Sequence, residues 1–247
     1  KNADEATYSD SKRRSFLSSI LSTLAFSHSS LASASPTMVP TPPTTSDVVW
    51  PLGKVAFSLL PLAGTSTRRA TVEECIVPNT IWTHDQVQGE VNVNVPIRQT
   101  VVRLSSGGLW VHNPVAPTPQ LLDMMDRLVR QYGPVKHIVL GTVALEHKAT
   151  LGDFSYHFPT ATVWIQPGQW SFPFNIPIQH NGLVQRGPRM REIPVPGQPV
   201  TSPIYEAEAL KNPDPEWIGD FDYEVLGPLK FQSVGAFSET AFYHKST

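Results

Sequence analysis

Apolar positions along this chain keep two different periods, and the stretches between them are rich in proline. Val91–Val95 alternates with Asn92 and Asn94, and Gln99–Leu104 and Leu109–His112 follow as short apolar-rich runs, which predicts strands. Ser106-Gly107-Gly108 between the last two is a hairpin signal. From Thr118 to Tyr132 the period changes to that of a helix, with Leu121, Leu122, Met125, Leu128 and Val129 on one face. Pro119 suits the first turn of that helix and Gly133-Pro134 ends it. His137–Gly141 reads as a buried strand, Gly152–Phe158 as a short helix stopped by Pro159, and Ala161–Ile165 as another strand. Phe231–Tyr243 reads as two strands around Gly235. The order strand, strand, helix, strand, helix, strand predicts an α/β layered sheet.

The flanking text predicts no core. Residues 36–51, PTMVPTPPTTSDVVWP, are a Pro/Thr linker that should run extended. Residues 52–80 stay ambiguous, with an apolar run from Val55 to Ala63 broken at Pro61. Beyond Gln166 the chain is again proline-rich and irregular to about Gly227, and Tyr205–Glu224 mixes carboxylates with aromatics as a solvated flap would. At the other end, Lys12, Arg13 and Arg14 precede a mildly apolar, serine-rich stretch that closes on Ala32-Ser33-Ala34. That order matches an export signal, and Arg13-Arg14-Ser15-Phe16-Leu17 resembles the twin-arginine pattern. A short amphipathic tail is the competing reading, since Phe16, Leu17, Ile20, Leu21 and Leu24 also fall at helical spacing. The division expected is therefore 1–35 as a targeting segment, 36–80 as linker and arm, and 81–247 as the folded domain.

Composition narrows the function. The 24 prolines require much loop, because each removes a backbone donor and fixes φ. A net charge of -2 gives no basic excess for a phosphate backbone, so nucleic acid is not an expected partner. The single cysteine, Cys75, forms no internal disulfide and no cysteine-rich zinc site. It is expected as a small, at least partly buried thiol, and no disulfide-linked partner is expected.

Several segments together resemble plant and algal, plastid-type members of the DUF4336 family, a degenerate relative of the metallo-β-lactamase fold. They include Val91-Asn92-Val93-Asn94-Val95-Pro96, Gly107-Gly108-Leu109-Trp110-Val111-His112-Asn113-Pro114 and Gly133-Pro134-Val135-Lys136-His137-Ile138-Val139. Leu145-Glu146-His147-Lys148, Pro167-Gly168-Gln169-Trp170-Ser171-Phe172-Pro173 and Ala241-Phe242-Tyr243-His244-Lys245 continue the match, which covers roughly residues 68–247. The resemblance implies an αββα sandwich with an extended N-terminal segment, and a family chain that continues past His244-Lys245 into one more strand.

In metal-bearing members of that fold, His-x-His-x-Asp-His follows a strand and holds ions that activate water. By the resemblance, Thr142 and Ala144 stand at the first two His positions, Glu146 at the Asp and His147 at the last His. Two of the four ligands survive, whereas a catalytic zinc needs three protein ligands and an open position. His84, His112, His157 or His180 are the candidates for a third, with His112 the possible helper. Glu146 and His147 are then either a reduced mononuclear zinc or iron site or a relic polar pair bonding loop backbone. No cofactor is the working expectation. Trp164, Trp170, Phe172 and Phe174, set among prolines, are either an exposed docking surface or a loop folded back over the sheet.

Three functions follow. The first is a non-catalytic binding or scaffold protein of the plastid, a peripheral subunit of a thylakoid complex such as a photosystem, in the lumen or on the membrane. The second is a metal-dependent hydrolase with a reduced site, and the third is a binder of a small ligand in the old catalytic cleft.

Overall fold

The computed structural model describes residues 44–50, 68–90, 93–169, 178, 189–195, 215–231 and 235–247. Seven strands form one sheet in sequence order: β1 (Val72–Val77), β2 (Ile81–Glu90), β3 (Val93–Arg103), β4 (Leu109–His112), β5 (Val135–Leu140), β6 (Thr162–Ile165) and β7 (Met190–Glu192). β1 to β4 pair antiparallel and β4 to β7 parallel. Helix α1 (Pro119–Tyr132) connects β4 to β5, and α2 (Leu145–His157) connects β5 to β6. A separate hairpin, β8 (Phe221–Phe231) and β9 (Gly235–His244), follows a 3-10 turn at Glu216–Gly219. The α/β layered sheet expected from the alternation of periods is observed, and its layering is consistent with the sandwich that the resemblance implies.

The sheet carries two apolar faces. On one, Val101, Val111, Ile138 and Val163 pack against Leu121 and Met125 of α1 and Leu151 and Phe154 of α2. On the other, Val102, Trp110, Val139 and Trp164 meet Trp217 and Phe221, with Tyr223, Val225 and Phe242 of the hairpin against them. Strands β4, β5 and β6 are therefore covered by helices on one side and by the hairpin on the other.

Helix α1 forms where its apolar stripe predicts. Thr118 Oγ1 accepts from the Leu121 N–H as its cap, Pro119 opens the first turn and Gly133 ends the helix at φ 101°. Gly108 is more constrained: its φ is +82°, and a Cβ there would lie 2.8 Å from the Pro134 carbonyl oxygen. Gly108→Ala combines left-handed backbone with a backbone clash, so it is expected to cost about 1–3 kcal/mol. Urea denaturation reads this directly, and an unchanged midpoint would contradict it.

Several elements differ from expectation. The sheet begins inside the ambiguous stretch, with β1, and the whole of β2 went unread. α2 begins at Leu145, seven residues before the expected Gly152. The expected flap is structured from Glu216 onward, where Trp217 and Phe221 are buried. Cys75 is exposed on the outer strand rather than buried. The targeting segment and most of the linker lie outside the described residues, but Trp50 at the linker's end is buried against Ala116 and donates to Asp153 at 2.5 Å. Among the described residues no helix is long and apolar enough to cross a membrane.

Candidate functional site

The motif stretch leaves the C-terminal end of β5 and enters α2. Gly141 and Thr142 form the turn, Ala144 is the helix N-cap, and Glu146 sits in the first turn, where a carboxylate suits the positive end of the helix dipole. Thr142 Oγ1 accepts from the Ala144 N–H at 3.1 Å. His147 is turned toward the loop after β4: its Nδ1 lies 3.3 Å from the Pro114 carbonyl oxygen, which accepts its proton. The same carbonyl accepts from Thr150 Oγ1 at 2.8 Å.

His112, at the end of β4, is placed by Asn113. Asn113 has φ 48°, and its Oδ1 accepts from the Gly141 N–H at 2.9 Å, which ties the ends of β4 and β5 together. A Cβ on Gly141 would come within 2.4 Å of His112 Nε2, so glycine is what allows the ring its place. The ring stacks on Trp110 with centroids 5.4 Å apart and meets the edge of Phe242 at 5.2 Å. Its Nε2 is enclosed and has no hydrogen-bond partner among the described residues. Burial, and secondly the nearby His147, push its pKa down to about 3, so the ring is neutral. Burial also holds His147 below its ordinary value, against the opposing pull of the Pro114 carbonyl and Glu146.

The other expected histidines are elsewhere. His84 lies in a buried polar layer on the helix side. The Gln99 amide nitrogen and His84 Nδ1 are 3.0 Å apart, and His84 Nε2 is 3.0 Å from Glu73. With Gln99 donating to Nδ1, the Nε2–H donates to Glu73. Gln99 also accepts from the Val115 N–H, while Gln86 bonds both the N–H and C=O of Ala116, so this layer fixes the loop that His147 leans on. His157 is exposed at the end of α2. His137 is packed in a central strand, 3.2 Å from the indole nitrogen of Trp164. His180 lies outside the described residues.

A metal is what the resemblance would bring to this place, and the donor set does not fit one. Among the described residues no three His, Cys, Asp or Glu side chains come together to hold an ion. Thr142 and Ala144 bring no imidazole to the turn, so the first two positions of the motif supply no ligand.

The turn does something structural instead. Gly141 O accepts from the Thr240 N–H at 2.7 Å, Ser238 O accepts from the Val143 N–H at 3.2 Å, and Thr142 pairs with Glu239 as an antiparallel bridge. Sequence reasoning missed Ser238, Glu239 and Thr240, because nothing local in the chain marks a contact across so long a separation. A cleft of about 490 Å³ opens beside this junction, lined among others by Val102, Trp110, His112 and β9. Trp164 is buried under the hairpin, packed against Trp217 at 5.6 Å, so its ring presents no docking surface. Trp170, Phe172 and Phe174 lie outside the described residues.

The family model described as "Domain of unknown function (DUF4336)" matches residues 78–247, well over half of the chain. The chain belongs to the DUF4336 family. No curated protein matches it. Among solved structures, it is similar to a metallo-beta-lactamase from Pontibacter korlensis, at 16% identity over 40% of this chain and 45% of that one, with a TM-score of 0.33. The mono-zinc form of the metallo-beta-lactamase FIM-1 from Pseudomonas aeruginosa is 10% identical over 64% and 58%, with a TM-score of 0.38. A diflavin flavoprotein A 5 fragment from Nostoc sp. is 11% identical over 72% and 64%, with a TM-score of 0.40. This DUF4336 chain thus covers less than two thirds of each of these structures.

Proposed function

We propose that this chain is a non-catalytic binding or scaffold protein. The observation that carries the reading is the use of the motif turn: the Gly141–Val143 backbone pairs with β9, and Thr142 and Ala144 bring no metal-ligating side chain to it. Side chains and backbone that would serve chemistry here hold two layers of the fold together. We place the protein in the plastid, at the thylakoid, as a peripheral subunit of a membrane complex such as a photosystem. That setting is supported by the resemblance to plastid-type sequences and by the twin-arginine-like segment.

Two measurements test it. Metal analysis of protein purified without chelator is expected to find far less than one equivalent of zinc, iron or manganese. Stoichiometric metal that disappears in His147→Ala would sink the reading and favour the hydrolase. Native electrophoresis of solubilised thylakoid membranes is expected to show the full chain migrating with a large complex. Recovery only as a free monomer would count against a scaffold role.

A further inference from the structure

Trp50, in a proline-rich stretch of the chain, fills a built pocket on the helix side of the sheet. Only 1% of it is exposed. Its ring lies against Ala116, in the loop between β4 and α1, with Ala149 of α2 packed beside them. Its indole N–H donates to Asp153 Oδ2 at 2.5 Å. Asp153 stands four residues after Ala149, so the two share one face of α2. The Arg69 guanidinium lies over the ring, 4.7 Å from its centroid, and its Nη1 donates to Gln88 at 3.0 Å. The pocket therefore offers small apolar walls, an acceptor aimed at an N–H and a cation over one face. Together these match the flat apolar body, the single donor and the electron-rich face of an indole.

The residues just before Trp50 tie the ring to its place. The Asp47 C=O accepts from the Gln120 N–H in the first turn of α1 at 2.9 Å, the Val48 C=O accepts from the Arg69 N–H at 2.7 Å, and Val49 pairs with Arg68. The loop that Trp50 rests on reaches the candidate site from its other end. Gln86 bonds both the N–H and the C=O of Ala116. The Pro114 C=O accepts from Thr150 and His147, and Asn113 Oδ1 accepts from the Gly141 N–H. Four consecutive residues, Asn113 to Ala116, thus carry Trp50 at one end and the motif turn at the other. Buried hydrogen bonds keep their strength only while water is kept from competing for them, and Trp50 is part of what shuts water from Ala116.

We propose that this pocket is a binding site for an indole, filled in this chain by its own Trp50, and that filling it locks the β4–α1 loop. Trp50 is a clasp. With the ring seated, the Gln86–Ala116 bonds stay dry, and the loop holds Pro114 and Asn113 where α2 and the motif turn meet them. With the ring withdrawn, water reaches those bonds, the loop loosens, and the tie between the ends of β4 and β5 loosens with it. The ligand class is a flat bicyclic aromatic with one N–H, either free indole or a tryptophan side chain. A ring with no donor forgoes the Asp153 bond, and a cationic ring meets the Arg69 guanidinium. Trp50 belongs to the proline-rich stretch 36–51, so whatever holds that stretch acts on the loop through it. The clasp goes beyond the binding role above, and neither metal content nor co-migration with a complex bears on it.

Hydrogen exchange on the full chain, wild type against Trp50→Gly, is the test, with free indole as the probe. The amides to follow are Val115, Ala116 and Gly141, which bond Gln99, Gln86 and Asn113 and make no bond to the arm itself. In Trp50→Gly they are expected to exchange about tenfold faster than in wild type, with the Ile138 amide of β5 unchanged as the sign of an intact sheet. Saturating indole is expected to return all three to near their wild-type rates, because it refills the space the side chain left. Wild type is expected to ignore indole, since its own ring occupies the site. Faster exchange confined to Arg69 and Gln120, whose amides bond the arm directly, would make Trp50 a local anchor and overturn the lock. Indole that leaves Trp50→Gly unchanged, or that protects wild type equally, would overturn the site. Where Trp50→Gly does not fold, Asp153→Ala removes the acceptor and keeps the ring. It is expected to speed the same three amides by a smaller factor, and wild-type rates in that variant would overturn the proposal.

Discussion

Trp217→Ala is expected to lower stability by about 3–5 kcal/mol, the usual cost of emptying a large aromatic site in a packed core. Trp217 is 0% exposed and stands where the hairpin meets the sheet. Its ring lies 6.5 Å from that of Trp110, 5.6 Å from Trp164, 5.4 Å from Tyr223 and 5.6 Å from Phe242, mostly edge to face. These neighbours come from β4, β6, β8 and β9, so no single element can move in to fill the space. The short 3-10 turn that carries the residue has little structure of its own to lose, and packing alone holds it. The β8–β9 hairpin should loosen first, because two strands do not persist in water without a surface to lie on. Urea denaturation gives the size of the effect, and hydrogen exchange gives its location at the Val143 and Thr240 amides, which bond across the junction. Trp217→Phe is expected to cost far less than Trp217→Ala: it keeps most of the ring and removes an indole N–H that has no partner among the described residues. Tyr156→Ala, at a side chain 75% exposed, is expected to stay within about 0.5 kcal/mol of wild type. A Trp217→Ala midpoint no lower than that of Tyr156→Ala would mean that the hairpin is held elsewhere.

The same packing explains which parts of the fold were legible in the sequence. α1 was readable because one side is apolar and solvent takes the other, and because Thr118, Pro119 and Gly133 mark its ends. β2 was not, because its buried positions include His84, Gln86 and Gln88. Burial of those side chains is made tolerable by Glu73, Thr71, the Ala116 backbone and Arg69, partners that no local pattern announces. The first turns of α2 were hidden in the same way, since Lys148 and Thr150 are buried and leave no apolar stripe. In β8 the carboxylates of Asp222 and Glu224 suggested a solvated flap. They occupy the outward positions of a strand whose inward ones, Phe221, Tyr223 and Val225, pack with Trp217. The candidate site divides along the same line. Glu146 and His147 were visible as a motif, and the structure brings His112 close enough to His147 for their charges to interact. The bonds that reveal the turn's structural work come from Ser238 and Thr240, whose strand reaches Gly141 only through the tertiary fold.

Acid is expected to unfold this protein well before its carboxylates are neutralised. His112 is enclosed among Trp110, Phe242 and Gly141, and burial, helped by His147, lowers its pKa to about 3. His137 accepts from the Trp164 indole, and burial takes its pKa to about 4, although Glu216 pulls the other way. In the unfolded chain both rings titrate near the ordinary histidine value of about 6.5. A folded value below the unfolded one means that the unfolded chain takes up protons first as pH falls. The stability these neutral rings allow is therefore complete above about pH 6.5 and is lost on the way down to about 4 for His137 and about 3 for His112. Each ring removes about 1.4 kcal/mol per pH unit within its window, so together they remove about 5 kcal/mol by pH 4.5. A domain of ordinary stability, about 5–15 kcal/mol, loses much or all of its margin there. Glu73, Asp85 and Glu216 have lowered values and add their loss only in the more acidic range, while Glu192, raised by burial, works the opposite way. Between pH 6.5 and 4.5 the slope therefore belongs to the histidines. His112→Leu keeps an apolar side chain beside Trp110 and deletes one titrating ring, leaving His137 and the lowered His147, so urea midpoints across this range should fall less steeply. A wild-type midpoint that stays flat from pH 7 to 4.5 would show that both rings take up protons in place. The stack around His112 would then open to water readily, and the wall of the cleft beside β9 would be mobile instead of preformed.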